Sequence, residues 1–302
     1  MLPRGEADVT VAILGIARML VRPSRPGCPG RWRAHLYAMS DSRGQVAQDA
    51  ASVYEEFFVP ALFAEWAPRV ARALEPVGPG RALDVACGTG VLGRELARRL
   101  GAERVVGLDC NEGMLAVAAR LAPEVEWRAG RAEALPFDDG ALAAVASQFG
   151  LMFFEDRVKA VSEMWRVLAP GGRLAVAVWG PLAETPGYRA MVELLERLFG
   201  VAIADELRAP FSLGDPAALR ALFEEAGVAG AEVHTEVGVA RFESIDAWVH
   251  TDVRGWTLAD RIDEAQYALL RREAPRALAA HQTRGGAVEF ASPAHVVTAQ
   301  RP

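Results

Sequence analysis

The sequence predicts an α/β fold, a doubly wound and mainly parallel sheet with helices on both faces, and two observations carry that prediction. Short runs rich in Val, Leu and Ala alternate with longer helix-like segments through residues 80–180. That is the pattern of strands buried on both sides. Within them, residues 81–109 read as strand, glycine turn, helix, strand and acidic tip. This is one βαβ unit with room for a nucleoside at its open end.

The first strand is the apolar run Ala82-Leu83-Asp84-Val85-Ala86, and the turn is Cys87-Gly88-Thr89-Gly90-Val91-Leu92-Gly93. Gly88 and Gly90 lack a Cβ, so the turn can be tight and a ligand can lie against its backbone. Gly93 is expected to let the helix pack closely on the strand. The helix Arg94-Glu95-Leu96-Ala97-Arg98-Arg99-Leu100 follows, and its free N–H groups offer an anion site. A second run, Arg104-Val105-Val106-Gly107-Leu108, ends at Asp109, whose carboxylate can accept hydrogen bonds from two ribose hydroxyls. A glycine turn of this kind serves NAD, FAD and S-adenosylmethionine (SAM) alike.

The context narrows the choice. Asn111-Glu112-Gly113-Met114-Leu115 follows Asp109, and Gly130-Arg131-Ala132-Glu133-Ala134-Leu135-Pro136-Phe137 follows a third short strand at 125–128. A fourth strand at 141–147 leads into Gln148-Phe149-Gly150-Leu151-Met152-Phe153-Phe154. Glu163-Met164-Trp165-Arg166-Val167-Leu168-Ala169-Pro170-Gly171-Gly172-Arg173 then precedes a fifth strand at 174–179. With these ordered matches the chain resembles the class I SAM-dependent methyltransferases, in particular the small-molecule type that includes the ubiquinone and menaquinone C-methyltransferases. The resemblance implies a Rossmann-like seven-stranded sheet, its last strand antiparallel, with helical cap insertions. It implies SAM as cofactor and methyl transfer to a small-molecule acceptor. It also implies site roles. Asp84, Gly88, Thr89 and Gly90 hold the methionine end of SAM, and Asp109 holds the ribose. Met114 lies on an adenine face, and Arg131 and Ala132 meet the adenine edge. Ser147 and Gln148 close the sulfonium end. The family usually has Asp or Asn where this chain has Arg131, and Glu133 is the candidate replacement.

The flanking elements follow in order. Residues 1–38 are broken by Pro23-Ser24-Arg25-Pro26-Gly27 and do not read as part of a domain. Glu6 and Asp8 spoil the basic start of a signal peptide. The first 38 residues are therefore expected to be an over-extended gene call or a disordered tail, and the domain to run from 39 to 302. Through 45–75, Tyr54, Phe57, Phe58, Leu62, Phe63 and Trp66 recur at helical spacing, with Pro60 placed to start a second helix. The resemblance lays this lid over the cofactor and turns Tyr54 toward it. Residues 181–228 read as a cap, with a helix over 188–198, a loop at 209–214 and a helix begun by Asp215-Pro216. Residues 232–241 alternate as a sixth strand, Ser244 caps the next helix, 258–281 is helical, and 296–299 is the last strand.

Composition limits the function. With 33 basic and 39 acidic residues the net charge is −6, which argues against a nucleic-acid-binding protein. Lys159 is the single lysine, so lysine-based covalent catalysis is not expected, and neither is the Tyr–Lys pair of many NAD-dependent oxidoreductases. The sequence after the fourth strand, Ser147-Gln148-Phe149-Gly150, lacks the Asn/Asp-Pro-Pro-Tyr of amino-methylating nucleic-acid enzymes. Apolar residues make up 51% of the chain, enough for a full core, and no apolar run reaches bilayer-spanning length. The three cysteines include no CxxC pair, and the chain reads as cytoplasmic without a metal centre. No catalytic triad is evident, as methyl transfer permits. His234 and His250 are the candidates for a general base. Phe149, Phe153 and Phe154 point to an apolar or aromatic acceptor. A non-catalytic SAM-fold scaffold and an NAD-dependent oxidoreductase are the alternatives.

Overall fold

The apolar runs of the middle third form the centre of a seven-stranded sheet of order β3-β2-β1-β4-β5-β7-β6 in the computed structural model, which describes residues 51–254, 258 and 261–302. The expectation for residues 1–38 lies outside the described residues. The strands are β1 (Ala82–Val85), β2 (Val105–Asp109), β3 (Glu126–Ala129), β4 (Leu142–Gln148), β5 (Leu168–Trp179), β6 (Glu232–Phe242) and β7 (Val288–Gln300). β1 to β5 run parallel, and β7 runs antiparallel to both β5 and β6. The seven-stranded sheet with an antiparallel last strand is thus the architecture observed. Every residue of β1 is buried, as is all of β4 except Gln148. Helices on both faces require this.

The strand order reverses between β1 and β4. The C-terminal ends of those two strands therefore splay apart, and loops above them enclose a crevice. On one side of it stands α3 (Val91–Leu100), whose N-cap is Gly90 in the left-handed region at φ 86°. α4 (Glu112–Leu121) follows β2, and on the other side of the crevice α5 (Arg157–Arg166) follows β4, with Asp156 capping its first turn through the Lys159 N–H at 2.8 Å.

The lid differs in detail from its prediction. Pro60 sits inside α1 (Tyr54–Phe63) instead of opening a second helix. It has no N–H to give, so the helix widens. The Ala64 N–H reaches five residues back to the Val59 carbonyl at 2.8 Å. The second helix, α2 (Ala67–Ala73), carries Pro68 in its first turn. Glu65 and Arg69 tie this lid to the free edge of β6: the Glu65 carboxylate accepts from the Val239 N–H at 2.7 Å, and Arg69 donates to the Val237 carbonyl at 3.0 Å.

The cap helices are α6 (Pro186–Phe199), α7 (Val201–Arg208) and α8 (Pro216–Glu225). Asp215 caps α8 through the Ala217 N–H at 2.8 Å, as its sequence predicts, and Ser244 accepts from the Ala247 N–H at 3.0 Å before α9 (Ile245–Arg254). The last helix, α10 (Glu264–Ala277), opens on a capping box of Asp263 and Gln266. The final strand is much longer than the predicted 296–299. Pro293 hides its first half from sequence reading, because proline cannot donate to a ladder. It is tolerated because β5 ends opposite Ala294, one residue before the missing donor is needed. The fifth strand likewise starts earlier than expected. It includes Pro170-Gly171-Gly172 as an irregularity between the Leu142–Leu168 and Ala144–Arg173 pairs.

Candidate functional site

Three neighbouring pockets occupy the crevice above β1 and β4, and most of the predicted site residues line them. The first is bounded by Tyr54, Phe63, Asp84, Gly88, Thr89 and Gln148. The second is bounded by Asp109, Gly130, Arg131, Ala132, Glu133, Phe153 and Phe154. The third and widest, about 730 Å³ and open on one side, is walled by Tyr54, Phe63, Met114, Phe149, Phe153 and Trp179, with Gln148 at its junction with the first. Ala86, in all three, is the hub. Its φ of 57° is unusual for a residue with a Cβ, and so is the 55° of Phe149. Strain of this kind persists where the surrounding packing dictates it, often at a working site.

The turn after β1 is set by its neighbours. The Cys87 N–H bonds the Leu108 carbonyl at 3.0 Å, and the Gly90 N–H bonds the Cys87 carbonyl at 2.8 Å. Asp109 receives the Gly88 N–H on one carboxylate oxygen and the Asn111 N–H on the other, each at 2.8 Å. Each oxygen keeps a lone pair for a further donor. Burial raises the Asp109 pKa, and the N–H groups of Asn111 and Gly88 work against that rise.

Asp84 is different. It is 1% exposed, and among the described residues neither carboxylate oxygen has a close hydrogen-bond partner, the Gly93 N–H being the backbone donor that faces it. Burial pushes its pKa up to about 8, and the nearby Asp109 charge adds to the rise. The hydroxyls of Thr89 and Ser147 and the Gln148 Oε1 are also buried and unpartnered. The other end of the Gln148 amide is fixed, because its Nε2 donates to the Phe63 carbonyl at 3.1 Å. Buried polar atoms without partners are rare in a folded protein. Their gathering beside one glycine turn marks a surface shaped for a polar ligand.

The aromatic cavity is built by stacking. Phe149 lies on Trp179 with centroids 3.8 Å apart, and Phe63 leans on both. Tyr54 stacks on Phe58 and Phe63. Burial raises the Tyr54 hydroxyl pKa, helped by Asp109, so this phenol stays protonated. Glu55, next to Tyr54, pairs with Arg94 of α3 at 2.7 Å, and Arg94 also donates to the Thr89 carbonyl at 2.7 Å. The lid is thus latched to the glycine turn itself.

Several predicted roles fall elsewhere. Gly90 and Gly93 face the indole of Trp127: a Cβ on either would lie 2.4 or 2.8 Å from a ring carbon. Gly93 therefore makes room for a tryptophan, an aspect the sequence reading missed. Ser147 is fully buried and lines none of the three pockets. Arg131, at the position where an acid was expected, pairs with Glu155 at 2.7 Å and with Glu133 at 3.3 Å. The two histidines proposed as base candidates stand apart from these three pockets. His234 is exposed on the edge strand beside Glu232, and His250 bonds the Tyr267 hydroxyl at 3.0 Å outside the crevice. Neither lines any of the three pockets.

Comparison with known proteins agrees with this geometry. A family model described as a methyltransferase domain matches residues 82–172. A demethylmenaquinone methyltransferase of Renibacterium salmoninarum is 38% identical over 168 residues, which are 55% of this chain and 70% of the relative. A demethylmenaquinone methyltransferase of Thermus thermophilus is 44% identical over 120 residues, 38% of this chain and 54% of the relative, so the chain spans about half the length of that protein. Among solved structures, the YcgJ protein of Bacillus subtilis superposes with a TM-score of 0.53 at 22% identity, over 78% of this chain and 98% of that one. Likeness at that level speaks for the fold alone. No helix among the described residues is long and apolar enough to cross a membrane.

Proposed function

The chain belongs to the SAM-dependent methyltransferases, and from that premise we propose that it transfers a methyl group to a small aromatic acceptor of the quinone type, taken in its reduced, hydroxyl-bearing form. One observation carries the proposal. Unpartnered polar atoms of Asp84, Thr89 and Gln148 gather at the glycine turn, and a cavity walled by aromatic rings begins on the far side of Gln148. The polar set fits an amino-acid-like tail, and the aromatic set fits a flat apolar ring.

The residues divide the work as follows. Asp84, Thr89 and the Gly88–Gly90 backbone hold the charged methionine end of SAM. Asp109 accepts from the ribose hydroxyls, and Met114 covers the adenine. Arg131, Ala132 and Glu133 form the adenine edge. Gln148, with Ser147 behind it, and Tyr54 close the sulfonium end. SAM, when bound, supplies a methyl carbon activated toward attack. The protein's task is orientation and exclusion of water. Among the described residues, no histidine, lysine or glutamate lines the aromatic cavity. The electron-rich ring of a dihydroxy aromatic suits that lining, because its carbon is nucleophilic without a strong protein base beside it. The named relatives are demethylmenaquinone methyltransferases, which supports a quinone-type substrate class. A cytoplasmic location is part of this proposal and rests on the sequence.

Calorimetric titration with SAM and with S-adenosylhomocysteine tests it, NAD serving as control. Binding of both nucleosides without NAD binding is the expected result. Asp109→Ala is expected to weaken it at least tenfold, since two charge-assisted hydrogen bonds are lost. A folded protein that gives no heat with either would leave the scaffold alternative standing.

A further inference from the structure

Residues 130–133 line the pocket assigned to the adenine, and the loop 130–137 that carries them belongs to no helix and to no strand of the main sheet. Their start is fixed by the Gly130 N–H on the Asp109 carbonyl at 3.0 Å. Further along, two side chains of α5 take hold of the main chain. We propose that Glu163 and Arg166 are positioning residues for the adenine side of the site, setting SAM affinity without touching SAM. The proposal rests on the cofactor assignment above.

Glu163 is 7% exposed and faces the loop. Its Oε2 accepts from the Leu135 N–H at 3.0 Å and from Arg166 at 2.8 Å. Arg166 donates in turn to the Leu135 carbonyl at 3.1 Å and to the Phe137 carbonyl at 2.9 Å. One residue of the loop is therefore gripped at both its N–H and its C=O by a single ion pair. The pair is itself held in place. Lys159 reaches Glu163 at 3.3 Å, Asp139 reaches Arg166 at 2.7 Å, and Arg301 donates to the Arg166 carbonyl at 2.6 Å. The Arg166 guanidinium holds the Glu163 pKa down to about 2, so the grip does not loosen across the physiological pH range. Arg131, Ala132 and Glu133 precede the gripped residue by two to four positions. A shift at Leu135 is carried to them along this short stretch, whose other ties include the Ala134 N–H on the Arg131 carbonyl at 3.3 Å, the Phe137 N–H on the Leu135 carbonyl at 2.9 Å, the Glu155 N–H on Glu133 at 3.2 Å and the Arg131 pairs with Glu133 and Glu155. A misplacement of this order in a supporting group is enough to weaken a bound ligand.

The test uses the full chain with Glu163→Gln and, separately, Arg166→Lys. The second keeps the charge opposite Glu163 and removes the fork onto the two carbonyls. S-adenosylhomocysteine binding is read by calorimetry, and exchange of the Leu135 amide by mass-resolved hydrogen exchange. Each variant that melts as a folded protein is expected to bind about tenfold more weakly and to exchange Leu135 faster. With a turnover assay, KM for SAM rises by the same factor, while kcat at saturating SAM stays within about twofold. Unchanged affinity in folded variants, whatever their melting temperature, would show the pair to be structural only. Failure of the wild-type chain to bind S-adenosylhomocysteine at all would overturn the cofactor assignment and this proposal with it. That outcome is distinct from wild-type binding that the variants leave intact. If Glu163→Gln does not fold, Arg166→Lys reads the same quantity alone.

Discussion

Asp84→Asn is expected to raise the melting temperature of the cofactor-free protein near pH 8 while abolishing SAM binding. The side chain is 1% exposed, among the described residues its oxygens have no close partner, and burial raises its pKa to about 8 against an ordinary 3.8, with the Gly93 N–H offsetting only part of the rise. A buried acid without partners is a liability to folding. The sign follows from proton counting. Between about pH 4 and pH 8 the folded chain keeps a proton that the unfolded chain has released. Stability therefore falls as pH rises through that window, by up to about 1.4 kcal/mol per pH unit for one such group, and levels off above it. Asp252 behaves alike: it is 1% exposed, its pKa is raised to about 8 by burial, and it accepts a hydrogen bond from the Tyr188 hydroxyl at 3.2 Å. Asp84→Asn should thus flatten the pH slope, and the double variant with Asp252→Asn should flatten it further. Melting curves at pH 5 and pH 8 measure this. In the proposed site the cofactor's ammonium group pairs with the ionised carboxylate, so wild-type SAM affinity should climb between pH 6 and pH 8. In Asp84→Asn it should be at least a hundredfold lower and flat with pH. A variant that melts lower at pH 8 and still binds SAM would refute the idea that this carboxylate is kept for a ligand.

The elements that could be read in the sequence are those whose signal is local. Residues 81–109 carry strand, turn, helix and acidic tip in order, and the structure builds β1, the glycine turn, α3 and β2 from them with Asp109 bonded to Gly88. Asp215 and Ser244 were legible as helix caps because a cap is decided within three residues. Elements whose cause lies far along the chain were not. Glu163 grips Leu135 across 28 residues, and nothing in the Glu163-Met164-Trp165-Arg166 run announces that target. The left-handed backbone of Ala86 and Phe149 is imposed by the crevice and has no glycine to betray it. His234 looked available for proton transfer only because its place on a solvent-facing edge strand is a property of the sheet order. Pro60 and Pro293 misled for a related reason. Proline predicts a missing donor, and tertiary context decides whether that donor would have been used.

Gly107→Ala is expected to cost about 3 kcal/mol, roughly a 10 °C loss in melting temperature, with a matching loss of SAM affinity. Gly107 lies in the middle of β2, paired with Asp84 on one side and Trp127 on the other. A Cβ there would stand 2.2 Å from two carbons of the Trp127 ring and 3.1 Å from the Cys87 sulfur. The ring cannot retreat easily: its Nε1 donates to the Ala122 carbonyl at 2.8 Å, and Gly90 and Gly93 close over its far edge. One indole thus fills the space left by three glycines, and it supports from below the turn that carries Gly88 and Thr89. Pushing the ring outward drives it into the start of α3, which is why affinity should fall with stability. The decisive comparison is a double-mutant cycle with Trp127→Leu. Alone, that change opens a cavity and destabilises by about 3 kcal/mol. Combined with Gly107→Ala, the smaller side chain relieves the clash while the new methyl group fills part of the gap. The pair should therefore be less damaging than the sum of the single changes by at least about 1 kcal/mol. Strict additivity would mean that the closeness of Gly107 to Trp127 is not what requires a glycine there, and the support of the cofactor turn would have to be sought in the Asp109 and Arg94 contacts instead.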